Sequence, residues 1–573
     1  MELADGIGAR RRVEIDRARR LAERQAESPT EMNPANPRLD EAQIAALAEV
    51  GTRVRLRDGE PLITAGVRRG GFFVVLEGAV EVIDRSREQP RTIARHEPGQ
   101  FTGDIDILTR RASLVSAYAR GETELLHVGS SDIRRIISGQ PAVGETLLRA
   151  FISRREQLLA SGLAAIRLIG SASSRDSFQL RELLTRNQVP FTWIDVEEEP
   201  GVAELVRHLG LTPDDLPAVV IGERPLLRRP TTRELAEAVG LRRSTRAETY
   251  DLIVVGAGAA GLAASVYAAS EGLLTLVLDS VAPGGQAGAA SKIENYLGFP
   301  AGVSGAELMG GATLQAQKFG AELCSATSVV GLELNSPQPA VRIDDGTRVV
   351  GRSILIATGA DYRRLDVPGR ERFDGTGVYY AATAIELTAC RGSDVVVVGG
   401  GNSAGQGAMF LSQHTRRVWL LVRGADLRQN MSSYLADRIE RAGNVEVLLQ
   451  TEVRRIVGDE RVEGIEVEHT NTGATRRIDA SAIFSFIGAA PRTRWLPPGI
   501  QTDAKGFVLT GRDVVTGDGG PISHQPFLLE SSHPGVFAAG DVRHGSVKRV
   551  ASAVGEGAMA IMFVHQHLRR DTL

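Results

Sequence analysis

Cysteine is almost missing from this chain: 573 residues hold two, Cys324 and Cys390. They stand far apart and form no C-x-x-C, which excludes a local redox dithiol and a thiolate zinc site. No metal site is expected. The lack of a disulfide framework fits a reducing compartment, here the cytoplasm. Long apolar runs are missing too. No stretch approaches the roughly 20 residues that span a bilayer. The opening residues Met1 to Gly6 have no apolar core between basic flanks, so neither a membrane segment nor a signal peptide is predicted. Nor does charge of one sign dominate: 67 basic residues face 70 acidic ones, for a net charge of −3. That argues against nucleic acid or a membrane surface as partner, since both need a strong cationic field. Lysine supplies only four of the basic residues, a bias of composition rather than of partner.

What is present is globular in composition, 42% apolar and 24% charged. At roughly 150 residues per domain the length predicts three to four domains. Residues 1–40, Arg-rich and closed by Asn33-Pro-Ala-Asn-Pro37, read as a solvated helix and a linker. Residues 41–161 carry short β-rich runs such as Phe72 to Leu76 and Ala79 to Ile83, separated by Gly and charged turns. That rhythm is the signal of a small antiparallel barrel or roll, with a helix from 141 to 161. Residues 162–242 alternate strand and helix: Ile166–Ile169, Ser177–Arg186, Phe191–Val196, Val202–Leu209, Ala218–Ile221 and Thr232–Val239, a compact α/β unit. A linker at 242–249 leads into the final 325 or so residues. These divide into 250–361 with 503–573, and 362–502 between them.

That last region opens with the strand Tyr250–Val255, which runs straight into Gly256-Ala-Gly258-Ala259-Ala260-Gly261 and an Ala-rich helix. The glycines allow a tight turn, close approach of backbone to a pyrophosphate, and helix–strand packing. The helix N-terminus supplies amide donors and partial positive charge. Asp279 ends the next strand, Leu274–Leu278, where a carboxylate would accept from ribose hydroxyls. A second copy follows: the strand Asp394–Val398, then Gly399-Gly400-Gly401-Asn402-Ser403-Ala404. Two Rossmann units, one inserted in the other, suggest a flavin exchanging electrons with a nicotinamide. After the strand Val418–Val422 come Arg423 and Arg428. Arginines there favour the 2′-phosphate of NADP, and NADH stays open.

These residues resemble the low-molecular-weight thioredoxin reductase family of flavoproteins across this whole region. Pro283-Gly-Gly285-Gln286 and Ile293-Glu-Asn295-Tyr-Leu-Gly-Phe-Pro300 look like its FAD-contacting loop. Ala357-Thr358-Gly359 looks like its returning strand, and Gly535 to Gly540-Asp541 like its C-terminal FAD motif. Lys548, Val550 and Ala551 follow at the start of a helix whose N-terminus, by this likeness, faces the isoalloxazine. The resemblance implies FAD and NADPH as cofactors and weakly implies a homodimer. It also exposes a departure. Where the family carries its redox C-A-T-C, this chain has Ala381-Ala382-Thr383-Ala384, and a methyl group cannot attack a disulfide. Cys390 stands about 9 Å further on if helical, too far to replace a thiol.

Residues 162–242 resemble a thioredoxin or glutaredoxin fold, with Pro217 like its cis-proline. Ser171 to Asp176 stand where the dithiol would be. The N-terminal module resembles a cyclic-nucleotide-binding β-roll: Gly78 looks like its turn between two strands, and Asp104 and Arg111 look like the carboxylate and arginine of its phosphate-binding cassette. The carboxylate is one carbon short, the loop between the two is shortened, and Arg110 stands where a proline is usual.

The expected fold is therefore a β-roll, a thioredoxin-like α/β domain and a two-domain Rossmann flavoprotein. Two functional readings stand. One is an enzyme passing hydride from NADPH to FAD and on to a non-disulfide acceptor, with no acid–base residue required. The other is a sensor that reports nucleotide or flavin state without turnover. Reduction of thioredoxin through residues 381–384 is chemically excluded.

Overall fold

The structure is a computed structural model. It describes residues 33–570 except 66–70, 85–90, 104–106, 108–112, 114, 162–165, 173, 198–201, 223, 244, 246–248, 291, 336–337, 384–385, 388–389 and 516–524.

The N-terminal sheet centres on two long antiparallel strands, Phe72–Asp84 and Ser116–Val128. Arg91–His96 and Phe101–Thr102 pair on one side, Thr52–Leu56 and Pro61–Ile63 on the other. The expected turn at Gly78 is absent as such. Phe72–Asp84 is one strand, and its register shifts between Val75 and Glu77 and again between Glu77 and Ala79. Gly78, at φ +79°, absorbs that irregularity, because a Cβ there would meet Glu122 O at 2.6 Å. A bulged strand can bend without stopping, and sequence rhythm does not separate the two cases. Phe72, Phe101 and Phe151 fill the core, with ring centroids 5.2–6.3 Å apart. Of the expected solvated N-terminal segment, residues 1–32 lie outside the described residues. Ala35 and Leu39 are buried, and Arg154 donates to Ala35 O at 2.7 Å. Residues 33–40 therefore dock on the roll rather than form a free linker.

The middle module has the sheet order Leu227–Arg228, Ala218–Ile221, Ile166–Gly170, Thr192–Asp195. Ile166–Gly170 runs parallel to Thr192–Asp195 and antiparallel to Ala218–Ile221. The Leu216–Pro217 peptide is cis. Ser174 caps the helix Arg175–Arg186 by accepting from Ser177 N.

The third region holds two sheets. One has Thr249–Val255 between Thr275–Leu278 and Arg348–Ile356, all parallel, and Val536–Ala538 returns beside Arg348–Ile356. These strands are apolar on both faces because helices cover one side and an antiparallel extension the other. The other sheet is parallel in the order Val378–Tyr379, Ala482–Ser485, Asp394–Val398, Arg417–Val422, Val445–Leu449. A ribbon, Ala360–Tyr362 against Ala489–Pro491, carries the chain between them. We call the two halves the first and second dinucleotide units.

In the first unit the helices Ala259–Ser270 and Val550–Arg570 cross where Gly557 faces Ala260. A Cβ on Gly557 would lie 2.1 Å from Ala260 O. Gly557→Ala should therefore push the helices apart and cost about 1–3 kcal/mol. A thermal melt at the wild-type midpoint would contradict the crossing.

Candidate functional site: two glycine cradles

In the first unit the Gly-rich turn is closed on itself. A Cβ on Gly256, at φ +104°, would lie 2.4 Å from Ala357 O, and one on Gly261 would lie 1.9 Å from Gly256 O. Gly258 differs. It is the N-cap of Ala259–Ser270, no side chain caps the helix, and the nearest atom to its Cβ position is Gly285 Cα at 3.9 Å. The first amides of the helix, those of Ala259, Ala260 and Gly261, thus sit at an end where a diphosphate can approach. Asp279 holds the turn in place. One carboxylate oxygen accepts from Ala257 N at 2.8 Å and the other from Val281 N and Ala282 N, both at 2.9 Å. Three amides already use this carboxylate, which leaves it room for a further hydroxyl.

Around this cradle, Gln286 donates to Ala360 O. Thr358 Oγ1 donates to Arg492 O at 2.9 Å, and Gly359 has φ +67°. Asn295 is exposed. Gly540 N donates to Glu556 at 2.7 Å, and Glu556 also pairs with Arg543. Asp541 is half-buried, and burial holds its carboxyl above the usual range while Lys548 pulls the other way. Lys548 Nζ donates to Asp541 O at 2.5 Å and lies over the Phe507 ring. Val550 and Ala551 open the helix Val550–Arg570.

The second unit repeats the device. Gly399, at φ +145°, abuts Phe486 O, and Gly400 abuts Val422. Gly401 is the N-cap of Asn402–Ser412, again without a side-chain cap, and nothing stands closer to its Cβ position than Asn430 O at 3.9 Å. Asn402 Oδ1 accepts from Ser432 N at 2.7 Å, and Ala404 is buried. Each cradle fits a diphosphate: an uncapped helix end, open space before it, and glycine where a side chain would intrude.

A strand, glycine turn and helix occur twice, the second unit set within the first. Residues 250–557 match the family described as Pyridine nucleotide-disulphide oxidoreductase. The chain belongs to that family. It is 35% identical to a thioredoxin reductase of Treponema pallidum over 313 residues, 54% of this chain and 94% of that protein. It is 31% identical to a 34.2 kDa protein in a rubredoxin operon of Clostridium pasteurianum, covering 56% of this chain and 97% of that one. The Lactococcus lactis thioredoxin reductase structure (FR conformation) matches with TM-score 0.51 at 28% identity, covering 56% of this chain and 99% of that one. Residues 53–140 match the Cyclic nucleotide-binding domain. The thioredoxin reductase-like members of this pyridine nucleotide oxidoreductase family use FAD and NADPH. The C-terminal region is thus an FAD-dependent oxidoreductase. No helix among the described residues is long and apolar enough to cross a membrane.

The two arginines singled out in the sequence part company. Arg428 reaches Asp437 at 2.6 Å and pairs with Glu440, both on the helix Ser433–Arg441, and these carboxylates raise its pKa. Arg423 is exposed at the end of Arg417–Val422 with no ion pair among the described residues. Asp104 and Arg111 lie outside the described residues, as does Ala384. Sequence reasoning missed Tyr362. Its half-buried ring stands edge-on to Phe486 of the second unit, centroids 5.3 Å apart, where the ribbon joins the units, and burial raises its pKa, with Ser403 pulling the other way and Asp541 adding to the rise. No local signal marks it, because Phe486 stands 124 positions away in the sequence.

Neither cysteine forms a disulfide and both are buried. Cys390 Sγ donates to Glu386 O at 3.5 Å, and burial pushes the thiol up to about 12. Cys324 lies in a strand of the other unit. Thiol-reagent titration of the native protein at pH 8 should label neither within minutes, and both after unfolding. Fast labelling of Cys390 in the native protein would refute its burial.

Proposed function

We propose that the chain passes electrons from NADPH through FAD to an acceptor that is not a protein dithiol, under control of the N-terminal β-roll. The first cradle would hold FAD through Gly256, Gly258, Gly261, Asp279, Gln286 and Asp541. The second would hold NADPH through Gly399 to Ala404 and Arg423. When bound, FAD would supply hydride acceptance and two-electron transfer. The chain's own part is to bind, orient and shield. The observation that carries the acceptor reading is the sequence Ala381 to Ala384 together with a buried Cys390 whose thiol stays protonated. No thiolate is available to relay electrons.

The β-α-β-α-β order of the middle module supports a thioredoxin-like fold, here with Ser171 to Asp176 in place of a dithiol. Adjacent arginines on the helix Pro141–Ser161 support control by the roll. Arg154 donates to Phe101 O at 2.9 Å and to Gly103 O at 2.5 Å, at the entry of the segment that carries Asp104 and Arg111. Arg155 donates to Gln188 O in the middle module. A ligand that rearranges the segment after Gly103 would act on the same helix that grips the next module.

Anaerobic titration with NADPH should bleach the visible flavin band of the purified protein. The double variant Cys324→Ser, Cys390→Ser should bleach equally and keep its turnover with small acceptors. Cysteine-dependent reduction of thioredoxin would sink the acceptor reading, and a flavin that stays oxidised would favour the sensor. Arg423→Ala should weaken NADPH binding by about tenfold with little effect on NADH. Arg428→Ala, already tied to two carboxylates, should change it by less than about threefold. The reverse order in a binding titration would move the 2′-phosphate to Arg428.

A further inference from the structure

The two dinucleotide units share one covalent crossing, the ribbon of Ala360–Tyr362 against Ala489–Pro491. Three residue pairs make a hinge, so something else must fix the angle between the units. Across the surface, Arg438 of the second unit pairs with Glu294 of the first at 2.8 Å, but that pair is exposed and contributes little.

The helix Arg175–Arg186 of the middle module bridges the same two units. Its C-terminal end belongs to the first. Arg186 donates to Gly285 O at 3.3 Å, beside the first cradle, and Asn187 to Val281 O at 3.0 Å. Gln188 donates to Ala306 O at 3.2 Å and lies against Gly310, where a Cβ would strike it at 2.5 Å. The module's tail adds Arg242, whose buried guanidinium bonds Ala326 O, Asp344 and Asp345. The N-terminal half of the helix belongs to the second unit. The Phe178 ring sits 6.0 Å from that of Tyr379 and packs on the second unit's core. Arg181, half-buried, stacks on Trp193 and lies within the field of Asp195, Tyr379 and the buried Glu386. One rigid rod about 18 Å long is thus bonded at one end to the unit that carries the first cradle, and wedged at the other against the segment before the second.

We propose that Phe178 and Arg181 are positioning residues for the oxidoreductase: the cysteine-free middle module is a strut that holds the second dinucleotide unit against the first in the orientation where Arg438 meets Glu294. The proposal rests on the reading of the two cradles given above. It gives the module a task that needs no thiol. An apolar ring contact resists separation, and a half-buried cation three positions along the same helix face is costly to displace into new surroundings.

The test uses the full-length protein with Phe178→Ala, Phe178→Tyr and Arg181→Met. Amide hydrogen exchange is measured first, without NADPH. Phe178→Ala should raise exchange in 378–387 and in the ribbon segments 360–362 and 489–491, and Phe178→Tyr, which keeps the ring, should match wild type. Anaerobic stopped flow with NADPH is the second readout. The limiting rate of flavin bleaching should fall about tenfold or more in Phe178→Ala, with the NADPH dissociation constant within about twofold of wild type, because geometry and not affinity is lost. Arg181→Met should move both readouts the same way, and it decides the matter if Phe178→Ala does not fold. Wild-type exchange and a wild-type limiting rate in both variants would overturn the strut. A wild-type flavin that NADPH does not bleach would overturn the reading of the cradles instead, and the exchange measurement would still decide the strut.

Discussion

Two helices of the first dinucleotide unit meet where no side chain fits between their backbones, and the rest of the oxidoreductase depends on that crossing. Gly557 brings Val550–Arg570 onto Ala260, the second residue of the helix that opens at the first cradle. Gly261, one residue on, brings the same helix onto the carbonyl of Gly256, and Gly256 brings the turn onto Ala357. The chain of contacts is backbone on backbone from the C-terminal helix to the returning strand. It fixes the uncapped helix end relative to Asp541 and Lys548, which approach from the C-terminal segment. Rotamer freedom is absent from every link, so the cradle is held by geometry that side-chain motion cannot relax.

The rigid cradle leaves open which groups carry electrons onward, and the proposed reading turns on Ala381 to Ala384 and the two cysteines. Ala381 cannot ionise, and Cys390 is turned into its own helical segment toward Glu386 O, with burial opposing thiolate formation. The same burial favours the neutral form of Glu386, whose carboxylate oxygen accepts from Thr383 N at 2.8 Å. Tyr379 and Ala382 lie in the second unit's core, and Phe178 packs against that core.

Much of this was legible in the sequence because the decisive signals are local. A β-branched run such as Val395 to Val398, followed at once by glycines and a helix, specifies a cradle within about ten residues. The strands and helices of the middle module fell close to their expected limits for the same reason, with caps such as Ser174 and Thr231 adjacent to the turns they close. What sequence could not show is long-range. Gly78 read as a turn, because a bulge inside a 13-residue strand has the same local composition. Arg428 has two carboxylate partners, Asp437 and Glu440, that only the fold brings to it. Ala35 and Leu39 read as linker, although the roll buries them. Phe178 and Tyr379 lie in different modules, and no periodicity in either announces the contact.

The order of modules along the chain then acquires a physical sense. The roll touches the middle module through Arg155 and Gln188, and the roll's Ser138 also donates to Lys318 O of the first unit at 3.0 Å. The middle module in turn spans the seam between the units. A helix end capped from one side by the roll and carrying Phe178 at its other end is a lever whose two contacts move together, since an α-helix bends little over three turns. For a nucleotide at the roll to alter flavin chemistry, it need not reach the flavin. It need only favour one position of Pro141–Ser161 over another by differential binding, and the size of the effect is bounded by that difference. A middle module without thiols is the part such a relay requires: stiff, hydrogen-bonded at one end, packed at the other, and chemically silent.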